Sequence, residues 1–167
     1  MPSYTIHLAI AKEFLRKNEG YNEEEFLKGT IAPDMTENKA RTHFARSSSE
    51  SNWGKFLDFY SLDKGFYSGW FLHLITDRLF FEEYLDDWEN REDAVGEKLY
   101  DDYDVLNKTI IEKYGVPIVE EVKVYMKPIE DYTLNYINKD TLYDFIEEVS
   151  NIKLEEYANR VKNHVRM

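Results

Sequence analysis

The hydrophobic positions fall in helical rather than alternating order over most of the chain. Residues 4–17 carry an apolar stripe through His7, Ile10, Ala11 and Phe14, the i, i+3, i+4, i+7 spacing of a one-faced helix. Asn22 opens a second helix, with Glu25 three residues on as its capping-box partner. That helix runs towards Ile31 and ends near Ala32, because Pro33 disfavours the α conformation in the residue before it. Residues 33–50 are polar and read as a loop, closed by the run Ser47-Ser48-Ser49. A short helix follows from about Ser51 to Tyr60. Asp63 then caps a helix that runs to about Trp88 and is apolar nearly all round, which places it at the centre of a bundle. A charged helix covers about Asp93 to Tyr114 and stops at Gly115 and Pro117. Residues 116–126 fit helix or strand and are assigned to helix, since no second strand is present to pair with them. Helices over about 140–150 and 152–165 complete an all-α, compact multi-helix bundle, a single domain over residues 1–167.

Composition narrows the function. There is no cysteine among the 167 residues, so disulfide frameworks, thiolate zinc sites and cysteine nucleophiles are excluded. Asp and Glu number 33 against 21 Lys and Arg, a net charge of −12, which disfavours long nucleic acids and anionic membrane surfaces as partners. The opening residues lack the basic flank of a secretory signal, and the apolar run from Gly65 to Thr76 stops at Asp77, too short to span a bilayer. The expectation is a soluble cytoplasmic protein.

Polar residues interrupt the apolar stripes at three places. His7 lies on the stripe of the first helix. His73 and Asp77 lie one turn apart on the central helix, on the face that carries Phe66, Trp70, Phe80, Phe81 and Tyr84. A buried polar pair requires partners. An H-x-x-x-D pair places imidazole and carboxylate side by side, which suits a transition metal, and a hydrogen-bonded pair without metal is the alternative. The polar loop adds two candidates, Asp34 as ligand or general base and His43 as ligand. It also concentrates cations: Lys39, Arg41, Arg46 and Lys55 stand against Glu50 alone between residues 38 and 55. Cations beside a metal are what a phosphate needs. His164 reads as a surface residue, and Glu97, Asp101 and Asp104 as a solvated acidic face. Walker, Rossmann, nucleophile-elbow and H-E-x-x-H motifs are absent.

Taken in order, PSYTIHLAIA, GTIAPD, RTHF and GWFLHLITD resemble the zinc-dependent phospholipase C family, whose wider fold group includes P1-type nucleases. The likeness covers residues 3–77. It implies an all-α fold with a metal cluster assembled from several helices. His43, His73 and Asp77 would hold one zinc, with Asp77 able to bridge. His7 would help hold a second, and Asp34 matches the aspartate near the attacking water. The secreted members begin with a metal-binding Trp and carry further histidines after the H-x-x-x-D helix. Here the chain starts Met-Pro-Ser-Tyr and has only His164 beyond Asp77, so one or two ions are expected rather than three. The resulting expectation is a metal-dependent hydrolase of a small anionic phosphate ester, working through a metal-activated water. Asp34 would be catalytic, Arg41 and Arg46 would bind substrate, and His7, Asp34, His43, His73 and Asp77 would hold zinc or another divalent transition metal. The alternative is a non-catalytic helical protein with a structural or ligand-binding metal site.

Overall fold

The computed structural model describes residues 3–118, 126 and 132–166. Among the described residues there are eight α-helices and no strand: α1 (Tyr4–Lys17), α2 (Glu23–Ile31), α3 (Lys39–His43), α4 (Trp53–Phe59), α5 (Phe66–Leu79), α6 (Gly96–Tyr114), α7 (Lys139–Ser150) and α8 (Leu154–Arg166). The all-helical class follows from sequence periodicity and is what the fold adopts. None of these helices is long and apolar enough to cross a membrane.

Helix starts obey local capping chemistry. The Ser3 hydroxyl accepts from the Ile6 amide at the head of α1, and the Asn22 side chain accepts from the Glu25 amide at the head of α2. The reciprocal half of a capping box is replaced, because the Asn22 amide donates to the Lys64 carbonyl at 2.8 Å. Asp63 acts as expected: its Oδ1 accepts from the amides of Gly65, Tyr67 and Ser68 at 2.8, 3.1 and 3.3 Å, and α5 begins at Phe66. Gly115, at φ 64°, closes α6 in the left-handed conformation.

α1 and α5 form the centre. The residues from Thr5 to Ala11 are buried, as are Phe71 to Asp77, so α1 lies deeper than a one-sided stripe implies. α5 crosses α2 at unusually short range. A Cβ on Gly29 would lie 1.9 Å from the Phe66 carbonyl oxygen, and one on Gly69 would lie 2.1 Å from that of Phe26. The two glycines therefore let backbone rest on backbone, which no side chain permits. One contiguous apolar cluster joins Phe14, Phe26, Phe71, Leu74, Phe80, Leu106 and Ile146 across these helices and α6 and α7.

Three boundaries differ from the sequence reading. The 33–50 segment is not a plain loop: it contains a 3-10 turn at Ala32–Asp34, the single-turn helix α3, and a second 3-10 turn at Ser48–Glu50. A helix of five residues has no room for an apolar period, and tertiary hydrogen bonds hold it. The Trp70 indole donates to the Thr42 carbonyl at 2.9 Å, and the Thr42 hydroxyl donates to the Pro33 carbonyl at 2.7 Å. The central helix does not run to Trp88. It passes into a π turn at Phe80–Tyr84, where Leu85 N bonds Phe80 O, and ends at Asp86 and Asp87, both left-handed at φ 54° and 52°. Aspartate is among the few residues that adopt this conformation readily, so no Gly or Pro marks the stop. The charged helix begins at Gly96 rather than Asp93. The helix expected over 116–126 lies mainly outside the described residues, and residues 116–118 are not helical. The side chain of His164 also lies outside them.

Candidate metal centre

Asp34, His43, His73 and Asp77 come together from three separate elements, all buried, with one ligand atom from each lying within 4.8 Å of the others. α5 supplies His73 and Asp77 at i and i+4. Asp34 ends the 3-10 turn that Pro33 imposes after α2, and the Tyr4 hydroxyl holds that turn to α1 by donating to the Asp34 carbonyl at 3.0 Å. His43 ends α3, and its carbonyl accepts from the Asn52 amide.

Both imidazoles are oriented by main-chain carbonyls. His73 Nδ1 lies 2.6 Å from the Thr30 oxygen and His43 Nδ1 lies 2.8 Å from the Lys39 oxygen. A carbonyl only accepts, so each Nδ1 carries the hydrogen and each Nε2 lone pair points into the cluster. This is the outer-shell arrangement typical of metal-ligating histidines. The Thr30 carbonyl reaches His73 because the Gly29–Gly69 crossing brings α2 against α5.

The inward atoms are evenly spaced. His43 Nε2 stands 3.0 Å from Asp77 Oδ2 and 3.2 Å from Asp34 Oδ1. His73 Nε2 stands 3.2 Å from Asp77 Oδ2 and 3.4 Å from Asp34 Oδ2, and the two Nε2 atoms are 3.3 Å apart. Ligands about 2.0 Å from a tetrahedral ion are separated by roughly 3.3 Å. The contacts to the carboxylates lack hydrogen-bond alignment. All four oxygens of Asp34 and Asp77 are buried without a hydrogen-bond partner. Two buried carboxylates facing imidazole nitrogens carry a charge of −2 when the rings are neutral, and a divalent cation cancels it. The donor set and its orphaned oxygens therefore fit a metal ion: these four residues are able to hold one.

In the metal-free protein, protons take that part. Burial opposes charge on every member. For Asp34 and Asp77 the nearby His73 outweighs burial, with His43 adding to it, and both carboxyls are held well below the usual carboxylate range. Burial pushes His73 down, but Asp77 and Asp34 reverse the shift and carry it up to about 10. His43 rises for the same reason. His7 goes the other way, because burial and the neighbouring charge of His73 exceed what Asp77 restores.

His7 is not one of the four. Its ring stacks on His73 at 3.8 Å, and its Nε2 meets the other oxygen of Asp77, Oδ1, at 2.9 Å. Asp77 thus presents Oδ2 to the four-residue group and Oδ1 to His7. His7 Nδ1 is buried with no hydrogen-bond partner. Arg41 and Arg46 are not brought to the cluster: both line an external groove that contains none of the four ligand residues. Their link to it is through the chain, since Arg41 and Thr42 directly precede His43.

Two residues of α6 are absent from the sequence reading. Tyr103 is 3% exposed, and its hydroxyl is buried without a partner. Burial first, then the charges of Tyr100, Asp77, Asp102 and Asp34, hold its pKa well above the ordinary phenol value. Asp102, fully buried, binds the 132–137 segment. Their signal was present: Leu99, Asp102, Tyr103, Leu106 and Ile110 form one helical stripe, an acid on an apolar face like Asp77.

Comparison with family models, with curated proteins and with solved structures gives no match. The site is therefore read from its own chemistry.

Proposed function

We propose that the protein is a metal-dependent hydrolase of a small phosphate ester. The observation that carries this reading is the group of four converging buried ligand atoms, two imidazoles and two carboxylates, with the carboxylate oxygens left without hydrogen-bond partners. Asp34, His43, His73 and Asp77 hold one divalent transition metal. Zinc suits this mixed nitrogen and oxygen set, and manganese or iron are the competing ions. His7, against the outer oxygen of Asp77, is the residue a second ion would recruit. The bound ion supplies Lewis acidity, which acidifies water and offsets charge on phosphoryl oxygens. Asp34 stays ionised across physiological pH and orients the attacking water through a carboxylate oxygen. The net charge of −12 favours a small soluble ester over a polyanion. The order of motifs similar to zinc-dependent phospholipase C supports the same chemistry.

The alternative is a structural metal site without turnover. It is favoured by one observation: the side chains of the four are 0–1% exposed, whereas a catalytic ion keeps an open position. The experiment is metal content of tag-free protein by mass spectrometry, followed by hydrolysis of bis(4-nitrophenyl) phosphate and 4-nitrophenyl phosphate by loaded and chelated protein. Stoichiometric metal, with turnover that chelation removes and re-addition of the metal restores, is the expected result. Stoichiometric metal with no turnover of any phosphate ester establishes the structural reading. Absence of metal after incubation with zinc, iron and manganese eliminates both.

A further inference from the structure

The groove that holds Arg41 and Arg46 has a cavity of about 670 Å³, within the roughly 300–1,000 Å³ range of small-ligand sites. Its apolar wall is aromatic: Phe44, Phe59, Tyr60 and Trp70. Phe44 and Phe59 stack with ring centroids 5.8 Å apart and planes within 17°, and Phe59 is 66% exposed. Tyr60 and Trp70 lie 5.2 Å apart on the same wall. The rings are held in place. The Trp70 indole donates to the Thr42 carbonyl, and Phe44 sits in the left-handed region at φ 57°, a conformation a bulky side chain occupies only under tertiary constraint.

The rest of the lining is cationic. Arg41, Arg46 and Lys55 border the groove, and none of them makes an ion pair among the described residues. Three unneutralised cations on one groove of a chain with net charge −12 select an anion. Open aromatic faces select a planar ring, and guanidinium groups bind phosphate in bidentate fashion.

We infer that this groove binds a small anion carrying a planar aromatic ring, of the kind a nucleoside monophosphate represents, with the ring against Phe44 and Phe59 and the phosphate on Arg41 and Arg46. The inference depends neither on the metal nor on the hydrolase reading, because none of the four ligand residues lines the groove. A lipid acyl chain would use the apolar wall without needing ring stacking or the three cations.

The test is titration of the full chain with adenosine monophosphate, followed by isothermal calorimetry and tryptophan fluorescence. It is run with and without chelator, beside adenosine (ring without charge) and ribose 5-phosphate (charge without ring). Saturable binding is expected, unchanged by chelation, with each comparator at least about tenfold weaker, a loss of about 1.4 kcal/mol. Arg46→Glu and Phe59→Ala, both at exposed side chains, should each weaken the monophosphate at least about tenfold with circular dichroism unchanged. No saturable binding overturns the proposal. So does equal affinity for adenosine or ribose 5-phosphate, affinity unchanged in both variants, or saturable binding of myristate or phosphatidylcholine vesicles in place of the monophosphate. Binding that survives chelation in a protein without hydrolytic turnover would leave this inference standing while the hydrolase reading fell.

Discussion

Asp77 and Asp102 are both aspartates on helices, both fully buried, and both in a chain with a large acidic excess. Their surroundings are opposite. Asp102 accepts from the backbone amides of Asn135, Tyr136 and Ile137 at 2.9, 2.8 and 3.1 Å, from the Asn135 side chain at 3.2 Å and from the Tyr132 hydroxyl at 3.2 Å. Its charge is spread over donors the chain itself provides, and it fastens the 132–137 segment to α6. Asp77 receives no aligned hydrogen bond. It faces His43 and His73 with one oxygen and His7 with the other. A buried carboxylate enclosed by amides is complete as folded. One enclosed by imidazole lone pairs needs a cation or protons to be so.

The contrast can be broken most directly at the two aspartates. Asp77→Asn should lose metal by at least about a hundredfold in affinity, since removing a ligand costs no less than removing its outer-shell partner. Turnover should disappear with it. Equal metal content in this variant and wild type, by mass spectrometry, would show Asp77 to be no ligand. Asp102→Asn should leave metal stoichiometry unchanged and cost about 3 kcal/mol in urea unfolding, because three backbone amides of the 132–137 segment lose a charged acceptor. A loss below about 1 kcal/mol would mean that the 132–137 segment is held by something else.

A pH series sharpens the comparison. In metal-free protein the raised His73 contributes stability that is complete below its unfolded value near 6.5 and is lost as pH rises through about 10. The lowered Asp34 and Asp77 contribute stability present above the unfolded value of 3.8 and lost as pH falls. Thermal midpoints of chelated protein should therefore be highest between about pH 4 and 6.5 as far as this cluster is concerned. They should fall on the alkaline side more steeply than those of metal-loaded protein. Parallel curves with and without metal would contradict the assignment of protons to the cluster. Metal binding at pH 7 should also release protons, on the order of two per ion, read by calorimetry in buffers of different ionisation enthalpy.

The smallest effect is expected at Tyr103. Tyr103→Phe removes a hydroxyl that has no partner, so urea unfolding should change by less than about 0.5 kcal/mol, in either direction. A loss above about 1 kcal/mol would show that the hydroxyl is bonded in solution.

Much of the site was legible because one criterion worked repeatedly. A polar residue on an apolar helical stripe marked His7, His73 and Asp77, and all three are buried. The same criterion was available for Asp102 and Tyr103 but was masked by their neighbours, since Asp101 and Asp104 make the segment look like a solvated face. Asp34 and His43 carried no periodic signal. They were found from residue type and from the resemblance, and the structure brings both to the other two. For Arg41 and Arg46 the loop's charge was readable, but not that they line a groove containing none of the four ligand residues.

Helix periodicity, capping residues and breakers act over a few neighbouring positions. The sequence by itself therefore determined the all-α class, most helix starts, and the pairing of His73 with Asp77 on one face of α5. The convergence of α2, α3 and α5 depended on distances between helices, which no local pattern encodes. Gly29 and Gly69 read as ordinary helix-interior glycines until packing shows that any Cβ would strike the opposing backbone. That contact brings the Thr30 carbonyl to His73, and with the Lys39 carbonyl on His43 it turns both Nε2 atoms inward. Tertiary structure alone decided which nitrogen each imidazole presents and which acids were left without donors, because both follow from groups far apart in sequence meeting where water is excluded.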